Sequence, residues 1–228
     1  MTIANSNYEE WRTAHPDAPF YEFEFNPKKM SSSGALFDLD KLDNISKNII
    51  SKMKAQDVYA SLLAWAKKYD EDFAKLLETN KDYATAILNI EREQKKPRKD
   101  YAYYSEIKGK IWYMFDELWN SSDKPYEFQT INDEKEIKNL VETYLEKYYD
   151  ESDDKDTWFS KVKLLADEFG YAKEVKEYKE NPDSYKGHVG DVSTALRIAF
   201  THESMTPDLY EILKLLGKER LKNRANEL

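Results

Sequence analysis

No cysteine occurs in the 228 residues, which excludes disulfides and thiolate metal sites alike. Histidine is almost as scarce: His15, His188 and His202 are too scattered to suggest a zinc site. Only 6 glycines and 7 prolines punctuate the chain, so a loop-rich or low-complexity protein is ruled out. No run of 18 apolar residues appears, and with it goes a membrane-spanning helix. The opening residues lack the charged start, apolar centre and small-residue cleavage site of a signal peptide, so a reducing cytoplasm is the expected setting. Net basic charge is missing too. At −9, the chain is a poor candidate for non-specific nucleic-acid binding.

What is present is charge and aromatic mass. Charged residues make up 35% and aromatics 14%, a soluble helical composition rather than a disordered one. The charge is unevenly placed: residues 132–156 hold ten acids against four bases, whereas Lys95, Lys96, Arg98 and Lys99 crowd together, as do Lys214, Lys218, Arg220, Lys222 and Arg224. Such runs serve either as solvated helix faces or as an RNA-facing side set apart from an acidic one.

Apolar spacing predicts helices through most of the chain. The opening reads as a helix that ends near His15-Pro16, because the residue before proline avoids the α region. Tyr21, Phe23 and Phe25 alternate with Glu22 and Glu24, the period-2 pattern of a short half-buried strand that Pro27 ends. From Asp40 the spacing Leu42, Ile45, Ile49, Met53 predicts a helix capped by Asp38 or Asp40. Val58, Leu62, Trp65, Ala66 and Tyr69 mark a second, Phe73, Leu76 and Leu77 a third, and Tyr83, Ala86, Ile87 and Ile90 a fourth, all read as core. Gln94–Asp100, with Pro97 among four bases, is the best candidate for a boundary between units.

Beyond it, Ile107, Ile111, Met114, Phe115 and Leu118 predict a helix that stops before Ser121, and Ile137 to Tyr148 another. Asp156 or Thr157 is placed to cap the helix of Trp158, Val162, Leu165, Ala166 and Phe169, with Gly170 as its left-handed C-cap. Val192, Ala195, Leu196, Ala199 and Phe200 follow helical spacing without a miss, with Asp191 as the expected cap. Thr206-Pro207 reads as N-cap and first-turn proline of a helix that Gly217 terminates.

Two stretches carry a family resemblance. Lys29-Met30-Ser31-Ser32-Ser33, followed by Gly34-Ala35-Leu36-Phe37-Asp38, resembles the KMSKS loop of a class I aminoacyl-tRNA synthetase and the helix opening that follows it in glutamyl-tRNA synthetases. Such a loop sets an ammonium, hydroxyls and backbone N–H groups against a triphosphate. The second stretch runs from Tyr185-Lys186-Gly187-His188-Val189-Gly190-Asp191 through Leu196-Arg197-Ile198-Ala199-Phe200-Thr201, Thr206-Pro207-Asp208-Leu209 and Leu216-Gly217-Lys218. It is similar to the C-terminal anticodon-binding region of bacterial glutamyl-tRNA synthetases. Two positions depart from the family pattern. Ser32 stands where the second lysine of the loop is usual, so Lys28 or Lys29 would have to substitute, and His202 follows Thr201 where glycine is usual.

The resemblance implies an all-α fold of stem-contact and anticodon-binding bundles, with a short strand and loop from an α/β catalytic domain at the N-terminus. The implied divisions are residues 1–33, 34–100 and 101–228. It also implies ATP-dependent attachment of glutamate to its tRNA, with ATP and Mg²⁺ as cofactors of the whole enzyme. This chain, without the catalytic core, is expected to be inactive alone and to bind the tRNA as a monomer, in partnership with that missing catalytic domain. Lys29, Met30, Ser31, Ser32 and Ser33 are the implied nucleotide contacts; Arg197, then Lys186 and His188, are the tRNA-contact candidates. Arg197 has a structural alternative, pairing with Asp191 or Glu203. Tyr101, Tyr103 and Tyr104 either stack on bases or bury against helices. The competing functional expectation is a stand-alone helical module that binds a protein partner, or a tRNA-binding appendage to a separate catalytic chain.

Overall fold

The computed structural model describes residues 7–30 and 39–228, and among these the chain is all-α, in two compact units, residues 1–45 and 46–228. In the first unit, helix α1 (Tyr8–Ala14) ends at His15 as the following proline requires. Its Arg12 guanidinium stacks on Trp11 and donates to the carbonyls of Pro16 and Ala18, closing the chain back on the helix. Tyr8 packs against Phe20 and Phe23. The expected strand is not there: Phe20–Glu22 form a 3-10 turn, and Phe23 is extended without a ladder partner. Alternation marks a strand only where a neighbour accepts its backbone bonds. Here it places Phe23 on Trp11 and leaves Tyr21 84% exposed.

Helix α2 (Leu39–Lys52) begins the main run of helices. Asp40 lies inside it rather than capping it, and Asp38 lies outside the described residues. Its expected core stripe is exposed: Leu42, Ile45 and Ile49 remain about half accessible or more, while Ile50 and Ser51 are the buried pair. The three helices α3 (Ala55–Tyr69), α4 (Glu71–Thr79) and α5 (Lys81–Asn89) follow the spacing closely. Val58, Leu62, Ala66, Phe73, Leu77 and Ile87 face one another where α3 packs on α4 and α5. Each such side chain contributes about 1.5–3 kcal/mol by leaving water. Tyr69, read as core, is exposed, and Trp65 packs only partly.

One helix predicted over 107–118 is three pieces. Helix α6 (Ile107–Ile111) tightens into a 3-10 turn at Trp112–Met114, Phe115 is extended, and α7 (Asp116–Trp119) restarts. The break lets Tyr113 turn inward beside Ile107, Ile111, Met114 and Phe115, whereas one straight helix would carry it on the opposite face. Helix α8 (Glu134–Thr143) widens into a π turn at Tyr144–Tyr148, burying Tyr144 and Leu145. Helix α9 (Lys155–Glu168) is capped two or three residues before the expected Asp156 or Thr157. Asp154 reaches the Thr157 N–H first, at 2.8 Å. Gly170, at φ +83°, closes it as expected.

Short α10 (Val175–Glu180) precedes α11 (Val189–Thr201) and α12 (Leu209–Ala225). Asp191 does not open α11. His188 is the N-cap, and Asp191 reaches back to its N–H at 2.8 Å, completing a capping box. Likewise Asp208, not Thr206, caps α12, accepting from the Glu211 N–H. Helix α12 breaks at Gly217 (φ +73°, ψ 163°) as the sequence predicts, then resumes as Lys218–Ala225. Helix α11 packs on α9 and α12, and α12 reaches α5. Its Arg224, only 2% exposed, donates to the Phe200 carbonyl at the end of α11 and to the Tyr113 carbonyl, and lies 3.9 Å from the centre of the Trp119 ring system.

Arg224→Met, which leaves those two carbonyls unpaired in the core, is expected to cost about 3 kcal/mol and lower Tm by roughly 10 °C in thermal melts. Gly217→Ala is expected to cost about 1–2 kcal/mol through its φ alone, since the added methyl meets only Glu151 Oε1 at 3.6 Å; chemical denaturation reads the difference.

Candidate RNA-binding cleft

Where α11 leads into α12, Thr206, Pro207, Asp208 and Leu209 line a cleft of about 490 Å³. Arg197 reaches it because Ser193 and Arg197 stand one turn apart on the same face of α11, opposite the apolar face of Val192, Ala195, Leu196 and Ala199. Neither expected partner holds Arg197. Asp191 is engaged by His188, and Glu203 by Trp112 Nε1 and Lys124. Instead its Nη1 donates to the Thr206 hydroxyl and, at 2.9 Å, to the Pro207 carbonyl. Burial pushes its pKa down, with Tyr113 and Asp208 opposing. The guanidinium is therefore fixed and partly stripped of water before any ligand arrives.

The first turn of α9 also lines the cleft. Trp158 is buried and donates to Tyr144 Oη at 2.8 Å, a hydrogen bond that sets its plane, while Phe159 stays 39% exposed at the rim. Lys155 pairs with Asp208, which also receives the hydrogen bond of the α12 cap and donates its own N–H to Glu91. Glu91, in the left-handed region at φ +53°, lies 3.7 Å from Arg98 Nη1, and Arg98 Nε donates to Asp100 at 2.6 Å. Burial first, then Asp208, raises the Glu211 pKa just behind this row. Three cations and three carboxylates thus line the cleft in near balance, with aromatic faces between them. Arg98, Thr206 and Pro207 also line an adjoining pocket of about 170 Å³.

The sequence singles out Arg197 but not its surroundings. Phe159 carries no signal there, Lys155 lies in an acidic run, and Thr206 reads as a cap. Arg98 stood out only as one of a run of bases. The signal that could have found them was the pairing of a fixed arginine with a Thr-Pro nine residues on. The other two tRNA-contact candidates lie elsewhere. Lys186 pairs with Glu136 at 2.8 Å over the Tyr171 ring, and His188 Nδ1 accepts from the Gly190 N–H as the α11 cap. Nothing brings either to the cleft among the described contacts. Tyr101 and Ala102 are buried and Tyr103 is 51% exposed.

Of the KMSKS-like loop, Lys29 lies on an exposed turn and meets Glu10 at 3.3 Å, Met30 is half-buried, and Ser31, Ser32 and Ser33 lie outside the described residues. Among the described residues no group of three or more His, Asp or Glu side chains is placed to hold a metal ion.

Residues 96–228, which supply Arg98, Phe159 and Arg197 to the cleft, match the anticodon binding domain family. The chain is also similar to glutamate–tRNA ligases: 48% identical to that of Acetivibrio thermocellus over its whole length, 44% to that of Clostridium perfringens over 98% of it, and 38% to that of Sorangium cellulosum over 98%. It spans only 41%, 41% and 39% of those proteins. Through residues 96–228, over half of its length, the chain belongs to the anticodon-binding-domain family.

Proposed function

We propose that this chain is the tRNA-binding portion of a glutamate–tRNA ligase and that the cleft under Arg197 takes unpaired anticodon nucleotides of glutamate tRNA. The observation that carries this is that the pre-fixed, half-buried guanidinium of Arg197 lines the same cleft as the partly exposed ring of Phe159. Single-stranded RNA is read by such pairs, a planar donor on a base edge and an aromatic face on its ring. The balanced charge of the cleft supports the same reading. A lining whose charges are already paired makes a poor phosphate trough but a good base pocket, which suits an acidic protein.

In this reading the division is functional: residues 34–100 contact the tRNA stem, 101–228 the anticodon, and 1–33 belong with the catalytic part. ATP and Mg²⁺ serve that catalytic part. The Lys29–Ser33 loop would face the triphosphate, and the exposed Lys29–Glu10 pair, being weak, lets the ammonium change partner at little cost. Lys186 and His188 are assigned to outer contacts with the same tRNA. The chain works as a monomer beside its catalytic domain, in the cytoplasm. A second reading, docking of a protein partner, draws on the exposed Leu39, Leu42, Ile45 and Ile49 of α2.

Fluorescence anisotropy with labelled glutamate tRNA, its anticodon-substituted form and a non-cognate tRNA separates the two. Arg197→Ala is expected to weaken cognate binding about 10–100-fold and to erase discrimination against the anticodon-substituted form. Phe159→Ala, at a rim position outside the core, is expected to weaken binding by about 1–3 kcal/mol without changing Tm. Unchanged affinity in both variants would overturn the cleft assignment, and no tRNA binding at low salt, with or without an added catalytic portion, would favour the protein partner. The slope of log affinity against log salt is expected to be shallow, on the order of two to four phosphate contacts.

A further inference from the structure

His202 ends α11 in the left-handed region, at φ +56° and ψ 11°, with its N–H on the Ile198 carbonyl. A side chain there costs about 1–2 kcal/mol relative to glycine, so something must hold it. Its ring supplies the holding contacts. It stacks on Tyr126 with centroids 3.9 Å apart and planes 22° apart, and lies 4.4 Å from Trp119 and 5.9 Å from Trp112. Trp112 and Trp119 are themselves stacked, as are Tyr126 and Phe128. Aromatic pairs of this kind contribute about 0.5–1.5 kcal/mol each, enough to offset the backbone cost.

The segment that leaves this stack is the edge of the cleft. Glu203, next in the chain, is held by Trp112 Nε1 and Lys124, and its N–H donates to Thr201 Oγ1 at 3.1 Å. Three residues later Thr206 and Pro207 meet Arg197. Segment 203–207 is thus pinned at one end by the aromatic stack and at the other by the cleft arginine. Met205, between the pins, is 83% exposed. Within the stack, His202 Nδ1 and Tyr126 Oη are buried without a hydrogen-bond partner.

We propose that His202 is a positioning residue for the RNA cleft: its neutral ring, stacked between Trp119 and Tyr126, holds segment 203–207 against Arg197, and protonation of the ring loosens that segment. The inference rests on the cleft being the RNA site. A second ring proton would place a donor at buried Nδ1, where no acceptor stands, and a charge beside Lys124 and Arg224. Glu227, the Glu203 carboxylate and the Pro125 carbonyl stand on the other side of the balance. Burial is the largest influence and lowers the His202 pKa from its ordinary value, with Lys124 and Arg224 acting the same way against Pro125 and Glu227. A base whose folded pKa is lowered stabilises the fold in its neutral form. That stabilisation is complete above about 6.5 and is lost as pH falls through the lower folded value.

The test uses the full chain and three forms: wild type, His202→Asn, which tolerates the left-handed backbone but lacks the ring, and His202→Phe, which keeps a stacking ring without the proton. In wild type, NMR amide signals of Glu203, Met205 and Thr206 are expected to titrate together with a midpoint below about 6.5, and in neither variant. Affinity for glutamate tRNA is expected to fall about tenfold in wild type between about pH 7.5 and a pH about one unit below the amide midpoint, to be weak at both values in His202→Asn, and to change little in His202→Phe. Amides that do not titrate, or that titrate equally in His202→Asn, would overturn the inference; so would wild-type affinity that is the same at both pH values. Absence of tRNA binding at every pH, with the amide titration intact, would instead overturn the RNA reading of the cleft and leave the positioning of 203–207 upheld.

Discussion

Everything around the cleft depends on one buried cation. Arg224 is stripped of water, and burial lowers its pKa to about 10, with Asp116 as the main opposing charge. An unpaired cation so placed would cost several kcal/mol, so its neighbours are arranged to receive it. The Phe200 and Tyr113 carbonyls accept its N–H groups and the Trp119 face covers its plane. The consequence is geometric. Fixing the Phe200 carbonyl fixes where α11 ends, and fixing Tyr113 and Trp119 fixes the broken stretch 107–119 against it. His202, the segment 203–207 and hence the Thr206-Pro207 edge are placed with the help of that single guanidinium near the far end of α12. Lysine could not take its position, because a point charge on a flexible stem offers neither the divergent donors nor the stacking plane.

Helix existence was legible in the sequence; helix continuity was not. The spacing of Val58, Leu62 and Ala66, and of Val192 to Phe200, reports burial on one face, and those faces are buried. The same rule failed at 107–119, where tertiary packing breaks a helical pattern to turn more apolar residues inward, whereas at 144–148 the expected helix continues, widened into a π turn. It failed at α2 in the opposite sense, since an amphipathic stripe states that a partner exists without saying what it is. Caps slipped by two or three residues, to Asp154 from Asp156 or Thr157, to His188 from Asp191 and to Asp208 from Thr206, because the winner is set by which side chain reaches the first free N–H groups. The cleft was legible in one residue only. Arg197 was conspicuous as a charge on an apolar helix, but its partners lie in segments that local pattern reads as loop and cap.

The acidic balance of the chain, an objection to RNA binding at the level of composition, looks different once the charges have partners. Lys161 meets Asp153 and Lys186 meets Glu136, bases from outside the acidic run at 132–156 that pair with two of its acids, while Lys147 and Lys155 within it are held by Glu168 and Asp208. Arg220 is likewise engaged by Asp116. At the cleft itself Lys155 and Arg98 are held by carboxylates, so neither acts there as a free charge. What is left to discriminate a ligand is short-range: donor geometry, ring faces and the shape of the 203–207 edge.

That shift from field to geometry also explains why Arg197 is tied down by its own protein. A free arginine gives up side-chain entropy, up to about 2 kcal/mol, when it orders on a base, and it orders on any base that offers an acceptor. An arginine already bonded to Thr206 and Pro207 has lost that freedom on folding and presents one fixed edge. A base whose acceptors match that edge gains hydrogen bonds at little further cost. A base whose donors face it leaves a half-buried guanidinium and its own polar edge unpaired, a penalty of about 1–3 kcal/mol. Discrimination therefore grows with how rigidly the edge at 203–207 is held. It follows that the aromatic stack on His202 and the buried Arg224 bear on which RNA is accepted, although neither lines the cleft.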